Sequence, residues 1–339
     1  MPTQSIKVAD SIEAAYEAAY EKGWTDGLPI VPPTPARVEK MLSGTKRSPG
    51  EVVGVIPPAN GAATIEKIAI NAVMAGCLPE YLPVVLAAFQ AVLKPEYDLF
   101  GVQTTTNPVA PLAIINGPIR KKLDINSGHG CLGPGWRANA TIGRAIRLGL
   151  VNIGAATPGI GSRSTMGQPA RYSFCTGENE EESPWEPLHV EKGYKPEEST
   201  VTMAAIEGMT NISEYWSKSV EGILTMIANS MISPGSHNVF AGRPDEGVVI
   251  IGSERAQRLG MELSKREVKE FLCQHAVLPL VNVCQELQED ILRMGRAKDG
   301  MVPVLTSPDG LTVVVAGGVG PQSLYLSPFR CTVTAPIAD

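Results

Sequence analysis

A glycine-rich stretch at residues 126–150 brings a thiol, an imidazole and a guanidinium together in the chain, as Cys131, His129 and Arg137. Glycines allow the backbone to adopt positive φ and to turn its amides toward a ligand, and an amphipathic helix follows with the positive end of its dipole. A cysteine whose pKa is lowered by a helix N-terminus and a histidine is a nucleophile. The stretch therefore predicts an anion-binding loop with a candidate thiol. The alternative, a long loop whose glycines serve only turns, stays open.

Two more glycine-rich segments are candidate ligand loops. Residues 154–167 carry an arginine and hydroxyl side chains among their glycines, and residues 317–320 follow the apolar run 311–316. A glycine-rich turn at the end of a buried strand is where α/β sheets place ligands. The predicted substrate-binding residues are the glycines and polar side chains of the three loops: Gly133, Gly135, Arg137, Asn139, Arg163, Ser164, Thr165, Gly318 and Gly320.

Four side chains are candidates for nucleophilic or acid–base chemistry: Cys131, His129, Glu178 and His237. Glu178 opens the acidic run 178–182, and a run of this kind is more often a solvated face than a site. His237 lies in a Pro-Gly-Ser-His-Asn loop between a helix and a strand. Nothing in the sequence ranks these groups as general acid or base.

Metal and cofactor signals are weak. The chain has four histidines and six cysteines, with no C-x-x-C pair, so no zinc knuckle or thioredoxin-type redox pair is indicated. Pro187 separates Glu186 from His189 and removes the helical spacing of a metal-binding pair. No cofactor is predicted, and a metal is not excluded.

Composition narrows the class of protein. With 339 residues, 43% apolar and 19% charged, the chain is globular and suits two domains or two halves that share one sheet. The net charge is −6 and no basic run occurs, which argues against nucleic acid as a partner. Apolar runs are shorter than the roughly 20 residues of a bilayer span, and no signal peptide is visible. We expect a cytoplasmic protein with no membrane partner.

A weak internal repeat organises the chain. Residues 112–125 align without gaps to residues 248–261, each reading as strand, turn and short helix, with an apolar helix before and another helix after. The second copy reaches its next helix through residues 262–264 only, whereas the first uses residues 126–138. Long strand-to-helix connections in α/β proteins are commonly functional. The glycine-rich stretch is therefore predicted as an insertion into a duplicated scaffold.

The predicted fold is α/β, with two pseudo-repeated α-β-α halves and the three glycine-rich loops gathered on one side, at the cleft between the halves. The predicted divisions are an N-terminal helix and proline-rich strap at 1–60, a first α/β half with the glycine-rich insertion at 61–198, and a second α/β half at 199–339. In the strap, prolines exclude helix, and Asp26 is read either as a turn residue or as a carboxylate that reaches a site.

Four motifs together carry a resemblance to a known family: W-T-D-G-L-P-I-V-P-P-T, A-G-C-L-P-E-Y-L-P-V-V, L-G-P-G-W-R-A-N-A-T-I-G-R-A and a terminal V-V-V-A-G-G-x-G. Over most of its length the chain resembles bacterial UGSC-type (seleno)proteins and thiol–disulfide isomerase-like proteins. The resemblance implies a bacterial enzyme or enzyme subunit that handles a small reactive compound. The Gly-Ser-Cys motif of that family does not occur here, so no catalytic residue is carried over from it.

The sequence thus favours an enzyme acting on a small anionic organic molecule bound by glycine-rich loops, with thiol-dependent redox or lyase chemistry. One alternative is a non-catalytic ligand-binding or scaffold subunit of a partner enzyme. Another is a metal-dependent hydrolase or lyase. A homo-oligomer and a complex with a partner subunit both remain open.

Overall fold

Helices and strands alternate along the chain in the computed structural model, which describes residues 5–237 and 246–338. The helices are α1 Ile12–Glu21, α2 Pro35–Leu42, α3 Ile65–Ala75, α4 Leu82–Val92, α5 Leu99–Thr104, α6 Ile119–Lys122, α7 Arg137–Gly154, α8 Leu188–Glu191, α9 Val220–Ser230, α10 Ser253–Gly260, α11 Lys265–His275 and α12 Gln285–Arg293. The strands are β1 Val52–Ile56, β2 Gly61–Thr64, β3 Ala110–Asn116, β4 Cys175–Gly177, β5 Thr200–Ser213, β6 Gly247–Ile251, β7 Val277–Pro279, β8 Met301–Pro303, β9 Leu311–Val315, β10 Gln322–Pro328 and β11 Val333–Pro336. The predicted α/β class is confirmed.

Helix ends follow local capping chemistry. The Thr64 hydroxyl accepts a hydrogen bond from the Lys67 amide at the start of α3, and Gly76 ends that helix with φ of 90°. Ser264 and Glu267 form a reciprocal capping box at the start of α11, as the sequence predicts. Within the described residues, no helix combines the length and apolar composition needed to cross a bilayer.

One mixed sheet of seven strands forms the centre of the fold, in the order β4-β3-β5-β10-β6-β9, with β11 also paired to β5. The pair β3 and β4 is parallel, and so is the pair β6 and β9, while β5 and β10 run antiparallel to their neighbours. Strands from both predicted halves therefore lie in a single sheet. The hairpins β1-β2 and β7-β8 stand outside it.

The sheet is curled, so that alternate residues of its strands pack onto one another across its inner face. Leu112, Ile114, Ile206, Ile250 and Val314 belong to this inner core. The outer face carries two further cores. One lies under α3, α4 and α7 on the β3 and β5 side. The other lies under α9, α10 and α11 on the β6 and β9 side.

The two ends of the strand order meet at one point. The amide of Asn179, two residues after β4, donates to the carbonyl of Val315 at the end of β9, at 2.7 Å. The Asn179 side chain also donates to the Ser253 hydroxyl, which follows β6. The curl therefore brings the carboxyl ends of β3, β4, β6 and β9 to a common place.

The proline-rich segment at 24–34 is extended, as its prolines predict, and lies against α3 and α7. The Arg144 guanidinium on α7 donates to both carboxylate oxygens of Asp26 at 2.8 Å and to the carbonyls of Leu28 and Pro29. Burial alone would raise the pKa of Asp26, but the hydrogen bonds and charge of Arg144 outweigh it and hold that pKa below its usual value. Asp26 is thus a structural anchor for this strap.

Asp26→Asn is expected to destabilise the protein by about 1–3 kcal/mol at neutral pH, because it removes the charge that Arg144 needs. Since the folded-state pKa is lowered, the stability from this pair is present above the unfolded pKa of about 4 and is lost as pH falls through the folded value. Urea unfolding at neutral pH and near pH ~3 measures both effects. Glu51→Gln, which breaks the exposed pair with Arg47, is the control and should change stability much less; equal losses in the two variants would contradict the anchoring role.

Candidate functional site

Asn139, in the first turn of α7, holds the long connection at residues 123–136. Its side-chain oxygen accepts from the Asn126 amide at 2.8 Å, and its NH2 group donates to the carbonyls of Asn126, Cys131 and Cys175. Asn139 is 4% exposed, so these bonds lie out of water. The sequence predicts this residue as a ligand contact, whereas its side chain is engaged with the backbone of the loop.

The first and third glycine-rich loops touch each other. The Gly317 amide donates to the Ser127 carbonyl at 2.8 Å. At Gly318 a Cβ atom would lie 1.9 Å from Nδ1 of His129, so only glycine lets the imidazole rest against the backbone here. Residues far apart in sequence therefore form one surface that includes His129, which is exposed to solvent.

Cys131 lies beneath this surface, at the end of the inner core, and is 7% exposed. Burial raises its pKa, while the nearby Thr176 hydroxyl and the amides of Cys131, Leu132 and Gly317 oppose the increase. The Thr176 hydroxyl itself donates to the Gly177 carbonyl, and the Gly317 amide donates to the Ser127 carbonyl. The direction is opposite to that of the activated nucleophile that the sequence suggests. At neutral pH the thiol is protonated, with donors around it that would stabilise a thiolate.

Glu178 is fully buried at the end of β4 beside Asn116, the last residue of β3. Its Oε2 atom accepts from the Asn116 side chain at 2.5 Å and from the Leu188 amide at 2.8 Å. Among the described residues, Oε1 of Glu178 and Oδ1 of Asn116 have no hydrogen-bond partner. Burial raises the pKa of Glu178, although the nearby charge of Lys265 opposes the increase. The carboxyl group of Glu178 is therefore shielded from water.

The acidic run that Glu178 opens is not a solvated face over its whole length. Arg120, 4% exposed, contacts Glu180 at 2.8 Å and Glu181 at 3.0 Å. Glu180 also accepts from the Gly117 amide and the Asn116 side chain. The preference for a solvated run is wrong for Glu178 and Glu180, which the end of β3 and the buried Arg120 hold inward, whereas Glu181 and Glu182 are exposed.

Arg137 does not stand free in the loop. Its Nε and Nη2 atoms donate to the Gly76 carbonyl at 3.0 and 2.9 Å, at the C-terminal end of α3. That arrangement satisfies a helix-end carbonyl. Gly133 and Gly135 remain exposed in the adjoining loop. The predicted carboxylate-binding guanidinium thus has two donors committed to the chain itself.

The second glycine-rich loop lies at the other end of β3. The Thr165 amide donates to the Thr106 carbonyl, and Gln168 donates to the Pro108 carbonyl, both ahead of the first residue of that strand. Ser164 accepts from the Gly167 amide, and Arg163 donates to the Gly159 carbonyl. The expectation that all three loops gather on one side is therefore wrong for this loop, since the chain crosses the length of α7 before entering it.

His237 also lies away from Cys131. Its Nδ1 atom is 4.0 Å from a carboxylate oxygen of Glu207, and its ring lies 4.7 Å from the Phe329 ring. Glu207 follows Ile206, which pairs with the first residue of β3, so this group lies at the opposite end of the sheet. Burial raises the pKa of Glu207 to about 7, with the His237 amide and the charge of Arg330 opposing the increase.

Asn116 and Thr176 are two buried polar residues of the Cys131 region that the sequence reasoning missed. Asn116 closes the apolar run L-A-I-I-N, and a polar residue at the carboxyl end of a buried strand is a signal that could have found it. Thr176 offers no such signal, because a threonine within a short strand is ordinary.

No group of three or more histidine, cysteine, aspartate or glutamate side chains is positioned to hold a metal ion within residues 5–237 and 246–338. Comparison with protein-family models and with curated proteins finds no match for the chain. The resemblance to UGSC-type proteins stays a prediction.

Asn139→Asp should destabilise the protein by about 3 kcal/mol or more, because it replaces two donors with an acceptor facing three carbonyls in a buried position. The size and shape of the side chain stay the same, so the loss reports hydrogen bonding. Urea unfolding gives the stability, and limited proteolysis within residues 123–136 reports release of the loop. Asn211→Asp, at an exposed position, is the matched control; a loop that stays protected in the Asn139 variant would refute this role.

Glu207→Gln should remove a pH dependence of stability. A carboxyl whose folded pKa is raised to about 7 stabilises the folded state below its unfolded pKa, and this contribution is lost as pH rises through the folded value. We expect wild-type stability to fall by about 1–3 kcal/mol from this group between pH ~4.5 and pH ~7.5, and the variant to lack that fall. Urea unfolding across this range tests it, with the exposed Glu289→Gln as control; identical pH profiles of wild type and Glu207→Gln would show that the group does not titrate this way.

Proposed function

We propose that the chain is a thiol-dependent enzyme acting on a small organic anion, bound where the loops at 123–136 and 317–320 meet. The observation that carries the proposal is the setting of Cys131: a thiol beneath the contact of the two loops, close to the Thr176 hydroxyl and to the amides of Leu132 and Gly317, which favour negative charge on its sulfur. Donors of this kind stabilise negative charge on sulfur.

Both predicted reaction classes, thiol redox and lyase chemistry, begin with loss of the Sγ proton from Cys131. His129, exposed and resting on Gly318, is the group we assign to receive it. The amide of Gly135 in the exposed loop, with the N-terminus of α7, would hold the anionic group of the substrate, since the Gly133 amide donates to the Gly130 carbonyl. Glu178 would serve as the neighbouring proton donor.

The proposed pseudo-repeat accounts for where this chemistry lies. In each half a strand, two helices, a parallel edge strand and an antiparallel strand occur in the same order: β3, α6, α7, β4 and β5, then β6, α10, α11, β9 and β10. Helix α8 intervenes between β4 and β5 in the first half, and β7, α12 and β8 intervene between α11 and β9 in the second. The connection between the paired helices spans residues 123–136 in the first half and 261–264 in the second. We infer an insertion into the first copy, and it is this insertion that carries His129 and Cys131.

A non-catalytic ligand-binding subunit is the alternative, and two observations favour it. Burial raises the pKa of Cys131, and Arg137 is engaged with the Gly76 carbonyl. Such a subunit would bind the same anion between the two loops and leave the thiol unreactive.

Gly318→Ala should abolish ligand binding with little loss of stability, because the new Cβ displaces only the flexible His129 imidazole. The control is Gly128→Ala in the facing loop, where the nearest atom to the added Cβ is 3.6 Å away. Thermal shift against a panel of small mono- and dicarboxylic acids identifies a ligand. Peptide-level mass spectrometry then follows the alkylation of each cysteine by iodoacetamide across pH, with and without that ligand.

For the enzyme, the ligand is expected to change the alkylation rate of Cys131 and not that of the exposed Cys284, and Cys131→Ser should keep binding but lose turnover. A ligand that binds wild type and Gly318→Ala equally and leaves Cys131 alkylation unchanged would rule out this site. Binding between the loops with a thiol that never reacts would select the non-catalytic subunit.

A further inference from the structure

Two neighbouring arginines lie beneath the loop at residues 155–168, and neither forms an ion pair with an acid of the described residues. Arg147, on α7, is 7% exposed and donates to the Ala156 carbonyl at 3.2 Å. Arg171 is half-buried and donates to the Ser162 hydroxyl at 2.9 Å. Among the described residues, neither guanidinium contacts a carboxylate.

Other buried cations in the described part of the chain are paired with acids. Arg120 contacts Glu180 and Glu181, and Lys265 and Lys269 both contact Glu191. A lone buried charge is costly, and proteins pair such charges or neutralise them. Arg147 and Arg171 differ from these buried cations, because neither forms an ion pair with an acid of the described residues.

The charge of Arg147 persists at neutral pH. Burial and the neighbouring charge of Arg171 lower the pKa of Arg147 to about 9, although the charge of Asp26, which pairs with Arg144, opposes the decrease. The guanidinium of Arg147 is therefore still protonated. The two groups therefore repel each other in a water-poor setting. An anion between them would turn repulsion into attraction, and a guanidinium fork suits the oxygens of a carboxylate or phosphate.

Further unsatisfied polar atoms lie close by. The Tyr97 hydroxyl, within electrostatic range of Arg147, and Oε1 of Gln103 are buried and have no hydrogen-bond partner among the described residues. A cleft of about 320 Å³ is lined by Thr104, Ala155, Gly161 and Arg163, among others. All four of these lining residues directly adjoin Gln103, Ala156 or Ser162 in the chain. An entry route thus lies beside the two arginines.

We propose that Arg147 and Arg171 form a binding site for a small oxyanion, carried as a phosphate or carboxylate group, with the Tyr97 hydroxyl as a third donor and the cleft beside Arg163 as its entrance. The site stands at the opposite end of β3 from Cys131, so it does not depend on the function proposed for that residue. The bound oxyanion compensates the buried charge of Arg147 and links the loop at 155–168 to α7.

Thermal unfolding of the full chain, purified free of phosphate, tests the site. Inorganic phosphate, sulfate and acetate are added separately, each against sodium chloride at equal ionic strength. We expect at least one oxyanion to raise the melting temperature of wild type by about 2–4 °C at saturation. Arg147→Met and Arg171→Met should lose this shift, and Arg266→Met, which removes an exposed charge, should keep it.

Without added anion, Arg147→Met should be as stable as wild type or more so, because it removes an unpaired buried charge. Which anion acts distinguishes a phosphate from a carboxylate group, and either result supports the site. Equal shifts in all four proteins, or no shift in wild type beyond that of chloride, would overturn it.

Calorimetric titration with phosphate covers the case in which Arg147→Met fails to fold. Arg147→Lys keeps the charge but loses the fork, and Arg171→Met lies at a half-buried position. Each is expected to weaken binding of the active oxyanion by about tenfold or more. Wild-type affinity in Arg171→Met would refute the proposal.

Discussion

The hydrogen bond from the Asn179 amide to the Val315 carbonyl joins the two ends of the strand order, and the rest of the structure follows from that closure. A sheet that curls far enough to make this bond must bury its inner face, and leucine, isoleucine and valine fill it. The same closure carries Gly317 to Ser127. The contact between the two glycine-rich loops therefore depends on the curl of the sheet more than on the sequence of either loop.

Most buried cations around this closed sheet are paired with carboxylates of the described residues. Where strands β3 and β4 end, the buried Arg120 pairs with the carboxylates of Glu180 and Glu181. On α7, Arg144 holds Asp26, while Arg147 and Arg171 bond to the loop at 155–168 and pair with no acid among the described residues. Helix α7 thus begins at the loop of Cys131 and ends at the loop of the two arginines. From the start of α7 to Arg147 the helix rises about 15 Å, and this one element separates the two candidate sites.

Local patterns in the sequence predict much of the fold. Three local features depend on only a few neighbouring residues: the end of α3 at Gly76, the capping box at Ser264 and the strand at 52–56. Strands β10 and β11 could not be predicted in this way. Their polar residues and prolines look like loop, and they become strands because β5 and β6 offer open edges. The candidate site was predicted in pieces: Cys131, His129 and Gly318 were each named, but their meeting depends on the curl of the sheet.

The sequence by itself determined which thiols, imidazoles, carboxylates and guanidiniums the protein has. It also determined many of the turns and helix ends, since turns and helix ends depend on residues that are near neighbours in the chain. Only the tertiary structure decided how each group is used. Arg137 binds the end of α3, Asn139 binds the loop backbone, and the thiol of Cys131 gains a raised pKa. The physical reason is that burial and hydrogen bonding are set by partners distant in the chain, and these two effects decide the charge and the availability of a side chain.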